Sequence, residues 1–373
     1  MTANPSANRL NLDFRAEASR LGPPPAPITD VHTHINGAQA SRLYREVCEL
    51  YGVERIYSMT RFDDLPIVQE AFGDRMRFIA VPNYQSSDLR TAFTTEWHKL
   101  IERFAERGVR ICKFWAAPRS RDYAAQVGED VFSFEGKWRQ KAMRIAHECG
   151  MMFMTHIADP DTWFATKYKD ASKYGTKLDQ YTPLERLLDQ YGDIPWIAAH
   201  MGGYPENLDF LDGLLERHDN LHLDTSATKW MVRELSKHPS ERLNSFLERW
   251  RGRILFGSDI VTTDEHFKSK ESERGMGHLA ASREQAFELY ASRYWSLRTM
   301  WETSFDGESP IVDPDLHMVD PDRYDESSAP PLRGKAIAPD SLRSLYHDAA
   351  TNLLDSWHES RDATSTSSRQ DSA

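Results

Sequence analysis

Two histidines one residue apart carry the clearest chemical signal in the chain, within Ile28-Thr29-Asp30-Val31-His32-Thr33-His34-Ile35-Asn36-Gly37. The β-branched run reads as a buried strand ending in a loop. Side chains alternate along a strand, so His32 and His34 are expected on one face, with Asp30 one step deeper. Val31, Thr33 and Ile35 are then expected on the opposite face, under a covering helix. Two imidazoles so placed can grip one cation, although a pair of polar strand residues explains them equally well. The other ligands must come from elsewhere. His156, His200 and Asp259 are the polar residues that break otherwise apolar runs at comparable places.

The elements that must position them recur with one rhythm. Apolar or β-branched runs are read at 28–34, 53–59, 77–82, 109–115, 151–156, 194–200, 221–225 and 253–259. Amphipathic helical stretches at 41–51, 65–72, 88–107, 131–150, 183–191, 208–217 and 240–250 separate them. Eight alternating units favour a parallel sheet closed as a (β/α)8 TIM barrel. An open doubly wound sheet would carry a glycine-rich phosphate turn after an early strand, and none is present. Residues 1–27 read as an N-terminal arm and 28–264 as the barrel. Residues 265–340 read as an insertion after the eighth strand, a lid over the mouth. A closing barrel helix is expected at 341–358 and a disordered polar tail at 359–373.

Composition narrows the function. The 373 residues are 40% hydrophobic and carry a net charge of −11. That balance argues against nucleic acid, which needs a basic face. No apolar run reaches the ~20 residues of a membrane span, and residues 1–11 lack a secretion signal. The three cysteines, Cys48, Cys112 and Cys149, are too scattered for a disulfide framework or thiolate metal site. The expectation is a cytoplasmic protein acting on a small molecule, with no nucleic-acid or membrane partner and homo-oligomerisation open.

His32, His34, His156, His200 and Asp259 all fall at the C-terminal ends of strand runs, the rim where barrel enzymes place their chemistry. Gathering four imidazoles and a carboxylate without a compensating charge would cost several kcal/mol. A divalent cation removes that cost. The order His-x-His, His, His, Asp, with flanks Thr29-Asp30-Val31-His32-Thr33-His34, Ala199-His200-Met201-Gly202-Gly203 and Phe256-Gly257-Ser258-Asp259, resembles the amidohydrolase superfamily. It is most similar to the amidohydrolase-related branch of hydrolases, lactonases and non-oxidative decarboxylases. The similarity spans residues 28–264 and the segment 346–354, leaving 265–340 outside.

That resemblance implies His32, His34, His156 and Asp259 as ligands of one divalent ion, expected as Zn2+ with Mn2+ or Fe2+ as alternatives. It places His200 beside the ion and makes Asp259 the acceptor of a proton from attacking water. Lys113 occupies the strand end where binuclear members carry a carboxylated lysine, so a second metal is open. A cationic lysine binding a substrate carboxylate is the preferred reading, and periodicity does not settle which face Lys113 takes. Trp115, Arg119 and Trp163 are further candidates for lining the pocket. Asp224 and Thr225 could orient a ligand, and 301–303 and 307–310 could fold over the mouth. The expected reaction is hydrolysis of a C–O or C–N bond in a lactone, ester or amide. Decarboxylation of an aromatic or unsaturated carboxylate is the alternative, and a non-catalytic metal-bound barrel is a third reading.

Overall fold

The computed structural model describes residues 4–268 and 276–361. Part of the charged stretch of the insertion and nearly all of the expected disordered tail therefore lie outside the described residues. Eight parallel strands form the centre: β1 (Ile28–Ile35), β2 (Val53–Ser58), β3 (Met76–Phe78), β4 (Ile111–Trp115), β5 (Met152–His156), β6 (Trp196–Ala198), β7 (Leu221–Asp224) and β8 (Ile254–Leu255). One ladder joins β3, β2 and β1, and another runs from β4 to β8 in order.

Hydrogen bonds at both seams close the ring. Beyond β3, the Ala80 N–H donates to Ile111 O (2.8 Å) and the Lys113 N–H to Ala80 O (2.9 Å). On the other side the Val31 N–H donates to Phe256 O (3.0 Å) and the Asp259 N–H to His32 O (2.8 Å). A further short strand, β9 (Ile260–Thr262), continues β8 past a break at 256–259 and pairs with the upper half of β1. The molecule is a (β/α)8 barrel.

Several strands end earlier than the apolar runs suggest. His200 and Asp259 sit at φ 59° and 60°, in a left-handed conformation that cannot continue a pleated strand. The ladders stop where the chemistry-bearing side chains begin.

The largest departure from simple alternation lies in β1. Asp30 pairs with Ile56 and Thr33 with Ser58, so three steps on β1 oppose two on β2. That extra residue is a β-bulge, which reverses the facing of everything before it. Val31, expected outside, packs inside with Tyr57, Ile79, Ile111, Met154 and Leu255. Asp30, expected beside the histidines, instead meets the outer layer, accepting from the Tyr294 hydroxyl at 2.8 Å. Its Oδ1 accepts the His32 N–H (3.1 Å) and the Ser258 N–H (3.1 Å), so it braces the bulge and the β8–β9 break together. Burial pushes its carboxyl up to about 7.

The helices show why the chain wraps as it does. Leu208–Arg217 buries Leu208, Leu211, Leu214 and Leu215 along one stripe, and Asn207 caps its start by accepting the Phe210 N–H. Fully burying each such side chain stabilises by about 1.5–3 kcal/mol. The helix Ala38–Tyr51, which follows His34, is capped from a distance. Asp264 accepts the N–H groups of Ala38, Gln39 and Ala40 at 2.8–3.1 Å. Gly37 must be glycine for this, because φ is +84° and a Cβ would lie 2.5 Å from the Asp264 carboxylate.

Within the insertion, Arg283–Glu302 is a 20-residue helix buried on most sides, and β10 (Asp306–Glu308) pairs antiparallel with β11 (Pro331–Arg333). The N-terminal arm is sewn to that helix: Asn8 donates to Glu288 at 2.9 Å, and Phe14 meets Trp295. The C-terminal helical segment from Pro339 places Ala349, Ala350 and Leu354 against the barrel interior. This stops the end remote from His156 and His200. Among the described residues no helix is long and apolar enough to cross a membrane.

Candidate metal centre

At the C-terminal rim, His32, His34 and Asp259 come together with one ligand atom from each within 4.8 Å of the others. Asp259 Oδ1 lies 3.2 Å from His34 Nε2 and 3.5 Å from His32 Nε2. His200 stacks on this group, its ring centroid 5.0 Å from that of His32. His156 follows, with its Nδ1 3.2 Å from His200 Nε2. His156 thus joins the cluster through His200 and is not part of the tight trio.

Each imidazole is oriented by a partner behind it, which assigns the tautomers. His32 Nδ1–H donates to Asp224 Oδ2 at 2.8 Å, leaving Nε2 free toward Asp259. His156 Nε2–H donates to Asp159 Oδ1 at 3.0 Å, and the other oxygen of Asp159 accepts from Tyr168 at 2.7 Å. His200 Nδ1–H donates to Ser226 Oγ at 2.8 Å, and Ser226 in turn donates to Asp224. Asp224 Oδ1 also accepts the His200 N–H at 2.9 Å. Asp224 therefore fixes His32, and through Ser226 and the backbone it fixes His200.

This arrangement leaves His156 Nδ1 and His200 Nε2 without protons, with lone pairs facing one another at 3.2 Å. Two such nitrogens repel unless a proton or cation lies with them. Burial pushes both His32 and His200 below their ordinary range, so they favour the neutral, ligating form. For Asp259, burial acts upward, but the His34 hydrogen bond and neighbouring imidazoles hold it well below the usual carboxylate range. For Asp224 too burial acts upward, and His32 outweighs it. The donor set of neutral imidazole nitrogens and an ionised carboxylate fits a divalent cation of the zinc type.

Lys113 settles on the inner face. It is 5% exposed, and its Nζ has no hydrogen-bond partner among the described residues. Burial lowers its ammonium to about 8, against the pull of Asp224 and Asp259. It lines a cavity of about 430 Å3 together with His32, His34, His156, His200 and Asp259, within the range of small-molecule sites. Trp115 lines this cavity, with Tyr84, Phe132 and Met59 supplying apolar wall and Asn36, Arg61 and Gln85 polar groups.

Arg119 does not line it: it is exposed on the rim, at the start of the helix Ser120–Val127. Trp163 lines a second cavity, of about 380 Å3, that shares His156, His200, Asp259 and Val261 with the first. Trp301 is buried in the core and Glu302 pairs with Arg298, so 301–303 do not reach the mouth. The insertion instead contributes Met276, Leu279, Leu289, Arg293, Asp313 and Asp315.

Asp159, Tyr168, Ser226 and Arg293 carry no periodic signal in the sequence. Asp159, three residues after His156, and Ser226, two after Asp224, were the detectable ones. Left-handed φ values at His200, Met201, Ala227 and Asp259 mark the same rim, each costing about 1–3 kcal/mol for a non-glycine residue. Gly203 (φ +77°) allows the loop after His200 to approach the loop after His156, since a Cβ would lie 3.0 Å from Ala158 N and O.

No family model matches the chain, and no curated protein does. Among solved structures, the fold aligns with dihydroorotase from Campylobacter jejuni at 13% identity and TM-score 0.44, covering 88% of this chain and 83% of that one. A zinc-bound amidohydrolase from Burkholderia multivorans aligns at 11% identity and TM-score 0.39, covering 88% and 99%. A manganese complex of 5-carboxyvanillate decarboxylase from Novosphingobium aromaticivorans aligns at 11% identity and TM-score 0.34, covering 91% and 97%.

Proposed function

We propose that the chain is a metal-dependent hydrolase of the amidohydrolase kind, acting on a C–O or C–N bond of a small carbonyl compound. The observation that carries this is the 3.2 Å approach of His156 Nδ1 to His200 Nε2, set beside the trio of His32, His34 and Asp259. One cation is proposed, Zn2+ first and Mn2+ or Fe2+ next, held by His32, His34, His156 and Asp259. When bound it would supply Lewis-acid polarisation and a lowered pKa for water.

The protein's own groups account for the remaining work. Asp259, kept ionised, accepts the proton of the attacking water at a carboxylate oxygen and returns it to the leaving group. His200, with Nδ1–H committed to Ser226, offers only a lone pair at Nε2, so it orients the water by accepting a hydrogen bond. Lys113 Nζ, buried and unpartnered, offers N–H donors to the oxygen on which charge develops. Trp115, Phe132 and Tyr84 hold the hydrocarbon part of the substrate and exclude water.

An open cavity beside the cluster favours catalysis over a structural site, which would be closed by its ligands. The second reading is a decarboxylase, favoured by the unpartnered Lys113 cation in an aromatic-walled cavity, where a substrate carboxylate would pair with it. Metal analysis should find about one divalent ion per chain. Lactones, esters and amides are then tested against aromatic and unsaturated carboxylates, reading acid release against CO2. Acid release from the first group supports hydrolysis, CO2 from the second replaces it, and absence of both with metal bound removes the enzymatic reading.

A further inference from the structure

We propose that the second cavity, on the insertion side of the metal centre, is the subsite for a carboxylate carried by the substrate, gripped by Arg293 and Lys229. This rests on the centre being catalytic and specifies what it acts on: a small compound with its reacting carbonyl at the shared wall and an anionic group some ångströms away.

Among the described residues, two of the three cations that line the cavity form no ion pair. Four carboxylates line it, and each already has partners. Asp313 and Asp315 are held by Arg233, and Asp315 also accepts from Trp163 and Thr162. Asp159 is held by His156 and Tyr168, and Asp259 belongs to the centre. Arg233 is committed to three carboxylates, Asp313, Asp315 and Glu234. Arg293 and Lys229 are the two cations without an ion pair among the described residues, although Arg293 feels the charge of Asp259 and Lys229 those of Asp313 and Asp315. Arg293 donates only to Leu289 O (2.5 Å) and Ser292 Oγ (3.3 Å), both on its own helix, and forms no ion pair among the described residues. Lys229, exposed at the start of Thr228–Leu235, lines the same cavity and also has no ion pair among the described residues.

A guanidinium facing a cavity whose Nε and Nη2 make no hydrogen bond among the described residues is matched to carboxylate geometry. Trp230, Leu279 and Leu289 supply apolar wall around it, which suits an organic acid better than an inorganic anion. Arg293 comes from the insertion, so the anion grip is a property of this chain's own excursion and not of the barrel.

Zinc-loaded protein is titrated calorimetrically with succinate, glutarate and adipate, with butyrate as the single-carboxylate probe and glutaramide as the neutral one. One carboxylate of a diacid should occupy the centre and the other the subsite. The best diacid is expected to bind at least about ten-fold tighter than butyrate, with glutaramide weaker than both. Arg293→Met should erase that advantage while leaving butyrate affinity within about two-fold. Its hydrogen bonds among the described residues lie within one helix, so the variant removes no hydrogen bond between elements. Should Arg293→Met not fold, Arg293→Lys and Lys229→Met carry the test: the first keeps part of the diacid preference and the second lowers it. No diacid advantage in the wild type, or an advantage untouched by these variants, overturns the proposal. Zinc content and butyrate binding report separately on the centre. If both persist without a diacid advantage, the subsite falls and the hydrolase reading stands. If neither is found, both fall.

Discussion

Replacing Lys113 with methionine should stabilise the metal-free protein, and the pH dependence of that gain tests the reasoning. The ammonium is buried without a hydrogen-bond partner, and burial lowers it from 10.5 to about 8 despite Asp224 and Asp259. Below pH 8 both folded and unfolded chains carry the proton, and the folded state bears the full penalty of the buried charge. That penalty is roughly 3 kcal/mol, at about 1.4 kcal/mol per tenfold change in proton affinity. Between pH 8 and 10.5 the folded state has released the proton while the unfolded state keeps it, so stability rises with pH. By pH 9.5 the wild-type penalty should be roughly halved. Methionine fills similar volume without charge, so Lys113→Met should be about 3 kcal/mol more stable at pH 7, and the gap should narrow as pH rises. With unfolding entropy near 2 cal/mol/K per residue over a chain of this length, that is a Tm increase of roughly 4 °C. Urea melts of chelator-treated wild type and variant at pH 7, 8, 9 and 9.5 measure it. Equal stability at pH 7, or a gap that does not shrink by pH 9.5, would refute a buried, uncompensated lysine. The same variant should lose turnover, because the donor to the developing charge is gone.

Three further outcomes are expected. His200→Ala should retain metal, measured by elemental analysis, and lose turnover by at least about a hundred-fold; unchanged turnover would remove His200 from the mechanism. Asp224→Asn should weaken metal affinity by about ten- to a hundred-fold in competition with a chromogenic chelator, because His32 loses the partner that fixes its tautomer; wild-type affinity would show that this hydrogen bond does not tune the site. Asp313→Ala strips the buried Arg233 of one carboxylate and should destabilise by roughly 3 kcal/mol in denaturant melts, whereas a neutral effect would mean that Asp315 and Glu234 suffice.

The sequence by itself determined the periodic part of the molecule. Eight apolar runs separated by amphipathic stretches leave little choice but parallel strands with helical crossovers. A polar residue ending such a run, as His156 and Asp259 do, must fall at the rim. The helices Leu65–Phe72 and Leu208–Arg217 were legible to the residue, because their apolar stripes and stop signals are local. What local pattern could not reveal was decided by long-range pairing. The bulge in β1 exists because three residues must span two on β2, so Val31 turned inward and Asp30 outward against strict alternation. The face of Lys113 followed from its ladder between Ala80 and Met154. Asp224 reached His32 across 192 positions of sequence, a contact made only by closing the ring. Arg293 reached the second cavity because a helix outside the repeating pattern packs beside the helix Ala38–Tyr51 and turns this side chain toward Asp259. Register, closure and the docking of non-repeating segments depend on many distant side chains fitting at once, so the tertiary structure alone fixed them.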